Sequence, residues 1–369
     1  MPNAVPPPLE RADWADLPDW DNDDHVSAFA AFQRSAQRAL VKPYRTGSLG
    51  IAAQSFGPAF AEARLLSGPG PQKAKKFFET HFSPFRIRPD GAAHGLVTGF
   101  YEPVAEASPV RTDEFRYSVL ARPADLEDVT DANRPDGMDP YLAFARRTAS
   151  GLTEYFDRHA VETGALDGHG LEFAWLKDKV DLFFIHVQGA ARLVFPDGQT
   201  LRITYAAKTG QRFTGPGHVL ASLGEIPLAA VTMQSIRAWF KANPDRIDSI
   251  LWRNRSYIFF RPAQVDDPAL GPVAAAKVPL TAGRSMAVDR LLHTFATPFF
   301  VSAPGLTAFD GKPFARLMIA QDTGSAIVGP ARGDLFAGSG DAAGEIAGVV
   351  RNAADFWALV PKDFPKAAS

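Results

Sequence analysis

The stretch Gln321-Asp322-Thr323-Gly324-Ser325-Ala326-Ile327-Val328-Gly329-Pro330-Ala331-Arg332-Gly333-Asp334-Leu335-Phe336, followed by Gly338-Ser339-Gly340-Asp341, is a cluster of glycines with the two aspartates Asp322 and Asp334 falling among them. The residues just before it, Phe314-Ala315-Arg316-Leu317-Met318-Ile319-Ala320, predict a buried strand. Glycine permits positive φ and close approach of a ligand to the backbone. An aspartate at a strand end beside such loops presents a carboxyl group to a cleft. Asp and Gly also dominate ordinary turns, so a lone Asp-Xaa-Gly would carry little weight. The rest of the chain supplies the context.

The 369 residues are enough for two domains. Hydrophobic content of 46% and charged content of 22% are ordinary for a globular protein with a full core. The formal net charge of −2 implies no basic face, which argues against nucleic acid as a partner. Phe, at 28 residues, far outnumbers the 7 Tyr and 6 Trp, so many of these rings must be core, with a few available to line a sugar groove. The absence of cysteine excludes disulfides, thiolate metal sites and a cysteine nucleophile. Eight scattered histidines form no His-Glu-Xaa-Xaa-His pattern, and neither a metal nor a cofactor is expected. The start, Met1-Pro2-Asn3-Ala4-Val5-Pro6-Pro7-Pro8, has neither a basic n-region nor an apolar h-region. Either the chain is not exported as written or its export signal has been removed.

Residues 1–24 predict an irregular lead-in. Helices are expected over His25–Leu40, where Val26, Phe29, Phe32 and Ala36 recur at helical spacing, then over Gly57–Leu66 and Gln72–His81. From Gly95 the period shortens. Leu96-Val97-Thr98-Gly99-Phe100-Tyr101-Glu102-Pro103-Val104 predicts a strand running into a turn, with Tyr101 and Glu102 as site candidates or as members of an edge strand stopped by Pro103. Tyr117–Leu120 keeps a β character, residues 122–140 form a long loop, and a short helical piece is expected near Leu152–Thr163. Lys179–Phe195 is expected as a strand continuing into a hairpin, with Pro196-Asp197-Gly198-Gln199 as the turn and Thr200–Tyr205 as the return. On that strand His186 and Gln188 would share one face, and Gly189 would leave the backbone beside Gln188 open to a ligand. Ile226–Ala242 predicts an amphipathic helix, and Asn254–Pro262 a strand. Thr281–Asp289 predicts a loop and strand ending in an aspartate, and Phe299–Val301 a further strand. The tail predicts a helix near Ala342–Val350 and a strand near Phe356–Val360.

Asp289, Asp322 and Asp334 each sit beside an expected strand with small residues nearby. This triple resembles the three-aspartate domain of the membrane-bound lytic transglycosylase A family. Ser285-Met286-Ala287-Val288-Asp289 resembles its first element, and Ala320–Ile327 with Gly329 its second. Asp334-Leu335-Phe336 with Gly338, Gly340 and Ala343-Gly344 resembles its third. Upstream, Thr98-Gly99-Phe100-Tyr101-Glu102-Pro103, Val180–Gly189, Met233–Trp239 and Asn254–Phe260 are similar to the family as well, so nearly the whole chain is covered. Departures are Ala190-Ala191 in place of Ser-Gly, Lys208-Thr209-Gly210 in place of an Asn-Gly turn, and His293–Pro298 in place of Pro-Leu-Gly-Thr-Pro. The lipoprotein cysteine of some members is missing too.

The resemblance implies a mainly β fold with flanking helices. A six-stranded double-psi β-barrel would be built from 1–107 and 244–369, with the three-aspartate region at about 270–360. A smaller β-domain, 108–243, would be inserted into it, and a groove between the two would hold a glycan chain. The implied activity is lytic cleavage of the β-1,4 bond between N-acetylmuramic acid and N-acetylglucosamine in peptidoglycan. The substrate's own C6 hydroxyl closes a 1,6-anhydro ring, so a single carboxyl can serve first as acid and then as base. Asp334 takes that role by the resemblance, with Asp322 beside it as a second catalytic candidate. Thr98, Tyr101, Glu102, Gln188, Gln321, Gly324, Ser325 and Asp289 are the substrate-binding candidates, although Asp289 also suits tying a barrel loop. Leu335, Phe336 and Ile327 are candidates for the apolar setting that would raise the acid's pKa. Peptidoglycan strands are the implied partner, together with cell-wall synthesis or hydrolysis proteins. A monomer on the periplasmic side of a Gram-negative envelope is expected, with outer-membrane association left open. Two alternatives stand beside this one: a hydrolytic glycosidase on the same barrel, and a non-catalytic, expansin-like glycan-binding protein.

Overall fold

The computed structural model describes residues 8–89 and 92–362. Met1–Pro7, on which most of the export-signal question rests, lies outside them. The chain opens with β1 (Leu9–Arg11), α1 (His25–Val41), α2 (Gly57–Leu65), α3 (Pro71–His81), β2 (Phe82–Ile87) and β3 (Gly95–Glu102). A middle block follows. It runs through β4 (Val104–Ser108), β5 (Tyr117–Leu120), β6 (Leu126–Asp128), β7 (Phe144–Thr148), β8 (Gly151–Thr153), α4 (Arg158–Ala160) and β9 (Glu172–Leu176). It continues with α5 (Lys179–Gln188), β10 (Ala190–Val194), β11 (Thr200–Lys208), α6 (Pro216–Ser222), α7 (Met233–Ala242), α8 (Ile247–Leu251) and β12 (Ile258–Ala263). The last block holds β13 (Ser285–Val288), β14 (Pro298–Ala303), β15 (Phe314–Asp322), β16 (Arg332–Ser339), α9 (Asp341–Val349) and β17 (Arg351–Pro361). The architecture is mainly β with accompanying helices. Among the described residues, no helix is long and apolar enough to cross a membrane.

Two compact units result, one from residues 1–101 with 265–369, the other from 102–264. The middle unit begins before the expected 108 and ends after the expected 243, because β4 pairs with β10 and β12 pairs with β11.

In the first unit the strand order is β1-β2-β17-β14-β15-β13-β16-β3, and β17 also pairs with β3. The second pairing closes β17, β14, β15, β13, β16 and β3 into a ring, so these strands present no open edge to one another. β17 makes the closure possible by its length: Arg351–Ala354 pair with β3, and Asp355–Ala358 pair with β14. Within the ring β13 runs parallel to β15.

The helices of this unit pack through rings. Phe29 and Phe32 of α1 meet Phe77 of α3, with centroids 5.0 and 5.6 Å apart, and Phe56, Phe60, Phe78 and Phe82 complete the layer. The abundance of phenylalanine is therefore mostly core. α1 starts where predicted because Asp24 caps it, accepting the Ser27 amide hydrogen. α9 lies close against β3. A Cβ at Gly99 would come within 2.9 Å of the Ala347 Cα, and one at Gly344 within 3.0 Å of the Tyr101 ring. Both glycines are needed for that approach.

The second unit carries the sheet β12-β11-β10-β4-β9-β5 and a small sheet β6-β7-β8. Lys179–Gln188, expected as a strand, is helix α5. Asp178 caps its start by accepting the Val180 and Asp181 amide hydrogens, and Gly189 ends it with φ 74°. Only β10 and β11 form the expected hairpin. The strand expectation failed because α5 is apolar on two sides. Val180, Phe183 and Phe184 pack among helices α6–α8, while Leu182 and Ile185 pack on the sheet. His186 and Gln188 consequently do not share a strand face.

Candidate active site

The two aspartates of the opening stretch come to the same level of the ring from opposite sides of β13. Ala287 of β13 is the register partner of Asp334 on β16 and, across a bulge, of Asp322 on β15. Two strand spacings put the aspartate Cα atoms roughly 10 Å apart.

Asp334 shares a face of β16 with Arg332 and Phe336 by strand alternation, and Thr98 shares a face of β3 with Phe100. Phe100 and Phe336 meet at 5.2 Å, and with Ala287, Leu280 and Ile327 they form a separate buried apolar cluster. Leu335, also expected beside the acid, belongs to the ring's main core. The Thr98 hydroxyl donates to Asp334 Oδ1. Arg332 Nη2 in turn donates to Thr98 Oγ1 at 2.7 Å. Burial pushes the Asp334 carboxyl up from its ordinary value, against the lowering effects of the Thr98 bond and the Arg332 charge.

Asp322 closes β15. Its Oδ1 accepts the Ala275 amide hydrogen at 3.1 Å from the tip of a small loop held by Gly271 N to Leu280 O and Ala274 N to Val278 O. Burial raises its carboxyl to about 6; amide hydrogens of Thr323 and Ala275 oppose this, and the charge of Asp334 adds to it. The folded chain thus holds this proton up to about pH 6, whereas the unfolded carboxyl releases it near 3.8. Between those values the folded state binds more protons, so the stabilisation is complete below the lower value and is lost as pH rises through the upper one. Asp322→Asn is therefore expected to raise stability at pH 7 by about 1–2 kcal/mol and to change it little at pH 4. Thermal unfolding at both pH values measures this; an equal effect at the two would contradict it.

Of the other candidates, Gly324 and Ser325 lie exposed in the loop that follows β15. Gln321, proposed for substrate binding, has no exposed surface. Its amide donates to Ala31 O and Ser35 Oγ, both at 2.8 Å, and accepts from Ser285 Oγ at 2.6 Å, tying β15 to α1 and β13. This buried role corrects the expectation. Asp289 is buried as well and accepts the Leu291 and Gly329 amide hydrogens, each at 3.0 Å, which is the loop-tying role. Tyr101 is buried against Gly344. Glu102 is fully buried in the second unit, accepting from Arg192 Nε at 2.6 Å with Arg202 Nε at 3.7 Å. Gln188 is half-buried at the end of α5. His186 is buried, its Nδ1 3.1 Å from Arg158 Nη2, and burial holds its imidazole neutral. Among the described residues, no group of three or more His, Asp or Glu side chains is placed to hold a metal.

Arg332 escaped the sequence reading. The available signal was its place two residues before Asp334, which puts both side chains on one face of a strand. The loop donor Ala275 N had no signal in the sequence.

The geometry, a carboxyl raised by burial on an apolar face and held by one hydroxyl, keeps a proton to higher pH than an ordinary aspartate, as proton donation requires. Comparison with known proteins agrees with the family resemblance. Residues 96–261 match the pattern described as the MltA specific insert domain, and residues 284–360 match the 3D domain. The membrane-bound lytic murein transglycosylase A of Vibrio cholerae is 30% identical over 285 residues, 76% of this chain and 69% of that one. A membrane-bound lytic murein transglycosylase structure from Agrobacterium tumefaciens is 52% identical, with a TM-score of 0.90 over 96% of this chain and 98% of that one. MltA from Neisseria gonorrhoeae is 30% identical, with a TM-score of 0.79 over the whole of both chains. With both family patterns present and relatives matched over most of their length, the chain belongs to the membrane-bound lytic murein transglycosylase A family.

Proposed function

We propose that this protein is a peptidoglycan lytic transglycosylase with Asp334 as its single acid and base. The observation that carries the proposal is the Asp334 carboxyl, raised by burial, seated beside the Phe100–Phe336 pair and bonded to Thr98. The bond cleaved is the β-1,4 link between N-acetylmuramic acid and N-acetylglucosamine. Asp334 gives its proton to the bridging oxygen as the C1–O bond breaks. The carboxylate left behind takes the proton of the muramyl C6 hydroxyl as O6 bonds to C1. No water is consumed, and the enzyme returns to its protonated form. Attack from within the same sugar removes much of the entropic cost of bringing a nucleophile to C1.

The ring of β3 and β13–β17 would be a double-psi barrel and 102–264 a domain inserted into it. Thr98 would orient the acid, while Gly324 and Ser325, exposed in the loop after β15, would meet the glycan. Gln188, half-buried, would also meet the glycan, whereas the buried Tyr101, Glu102 and Asp289 would act by support rather than by touching sugar. The protein would work as a monomer on murein at the periplasmic side of the envelope, with or without attachment to the outer membrane. Cell-wall synthesis or hydrolysis proteins would be its partners there.

A hydrolytic reading keeps one observation in its favour, the second raised carboxyl of Asp322 across β13 from the acid. An inverting hydrolase uses such a second carboxylate to activate water. Mass spectrometry of products from purified peptidoglycan separates the two. Muropeptides ending in 1,6-anhydro-N-acetylmuramic acid are expected. Reducing ends one water heavier would replace the lyase by a hydrolase, and intact glycan with retained binding would leave a binding protein.

A further inference from the structure

A threonine hydroxyl has one hydrogen to give and lone pairs to receive. Arginine can only donate. Because Arg332 Nη2 donates to Thr98 Oγ1 at 2.7 Å, Thr98 must accept there, and its own hydrogen is free for Asp334 Oδ1. The guanidinium is itself fixed, since Nη1 donates to the Gly333 carbonyl. An oxygen that receives the Thr98 hydrogen cannot also carry the acid proton toward it. We propose that Arg332 is a positioning residue for the acid: by occupying the Thr98 oxygen it turns that hydroxyl onto Asp334 Oδ1 and leaves Oδ2 as the oxygen that holds and delivers the proton.

Without Arg332 the threonine can reverse. Protonated Asp334 would then donate to Thr98 from Oδ1, and its proton would be held away from the bridging oxygen. The inference rests on Asp334 being the acid and base. The charged groups around that carboxyl are Arg332 on its own strand and Asp322 across β13, while Arg351 at the start of β17 acts on Arg332. Removing Arg332 takes away a nearby positive charge, so the Asp334 carboxyl would titrate at higher pH and the alkaline limb of the pH–rate profile would move up with it.

The test combines two readouts in the full chain. Carbon-13 NMR of labelled aspartate carboxyls, with Asp334 assigned through Asp334→Asn, follows its titration with no substrate present. Turnover of purified peptidoglycan across pH follows its use. Arg332→Met is expected to raise the Asp334 midpoint by about one pH unit and to lower maximal turnover about tenfold. Arg332→Lys, which keeps one donor and the charge, is expected to restore most of both. In a Thr98→Val background, Arg332→Met should cost no further turnover, because the hydroxyl it controls is gone. In a Thr98→Ser background it should cost as much as in the wild type. An unchanged titration and turnover in Arg332→Met, or a full extra loss in the Thr98→Val background, would overturn the proposal. If the wild type makes no anhydro ends, the functional reading falls on that result, while the titration still decides whether Arg332 governs the Asp334 proton.

Discussion

Asp334→Asn is expected to reduce the formation of anhydro ends from peptidoglycan by about a thousandfold, leaving the fold intact. In the proposed mechanism one group supplies both the proton for the leaving oxygen and the base for the C6 hydroxyl, so no second carboxyl would share the loss. The amide keeps an oxygen to accept the Thr98 hydroxyl, so that bond survives. It also removes a carboxyl whose ionised form is disfavoured by burial, so stability at neutral pH should hold or rise. Product counting by mass spectrometry beside a thermal melt tests both parts. Residual activity within tenfold of the wild type would move the acid to Asp322, whose carboxyl is also raised.

The second large effect lies in the middle unit. Arg158→Met is expected to destabilise that unit by about 3–5 kcal/mol, the usual cost of removing one partner from a buried charged network. Arg158 is 1% exposed. Its guanidinium donates to Asn254 O at 3.2 Å, to Ser256 O at 2.8 Å and to Glu162 at 2.9 Å. It also lies over the rings of Phe183 and Tyr257 at 4.7 and 5.2 Å. Methionine fills part of the volume but leaves two carbonyls without their donor, while Glu162 keeps Lys179 and Trp252. Denaturant unfolding with a middle-unit probe such as Trp252 measures the loss. A change under 1 kcal/mol would mean that water or a neighbouring side chain replaces the guanidinium at little cost.

Much of the first unit could be read from residue order because its elements obey a single period. β13, β14, β15 and the end of β17 carry continuous apolar runs, and α1 keeps its phenylalanines on one face. α5 defeated the same method. Its apolar residues serve two packing surfaces at once, so the helical period vanished and Lys179–Gln188 looked like the start of a strand. The cap at Asp178 and the glycine at 189 were the legible signals, and they stood at both ends of the run. Within the site, the aspartates were visible because carboxyls among glycines are uncommon outside turns and sites. Gln321 misled because a polar residue beside a catalytic candidate looks functional, and only burial shows that its amide is spent on α1. Arg332 was hidden by the reverse: a lone arginine on a polar loop edge attracts no attention until Thr98, 234 positions away, is seen to receive its hydrogen.

The closure of the ring by β17 carries a consequence for how the molecule is born. β3 emerges early from the ribosome, but the strands that flank it in the ring, β16 and β17, come last. Thr98 waits 236 positions for the carboxyl it bonds. The middle unit, complete by residue 264, can fold while β3 is still without neighbours. The Thr98–Asp334 bond can thus form only after β16 has been made, and a nascent chain that has not yet reached β17 holds the three aspartates in sequence without the closed ring around them. Such long-range pairing also makes the closing step slow relative to local helix formation.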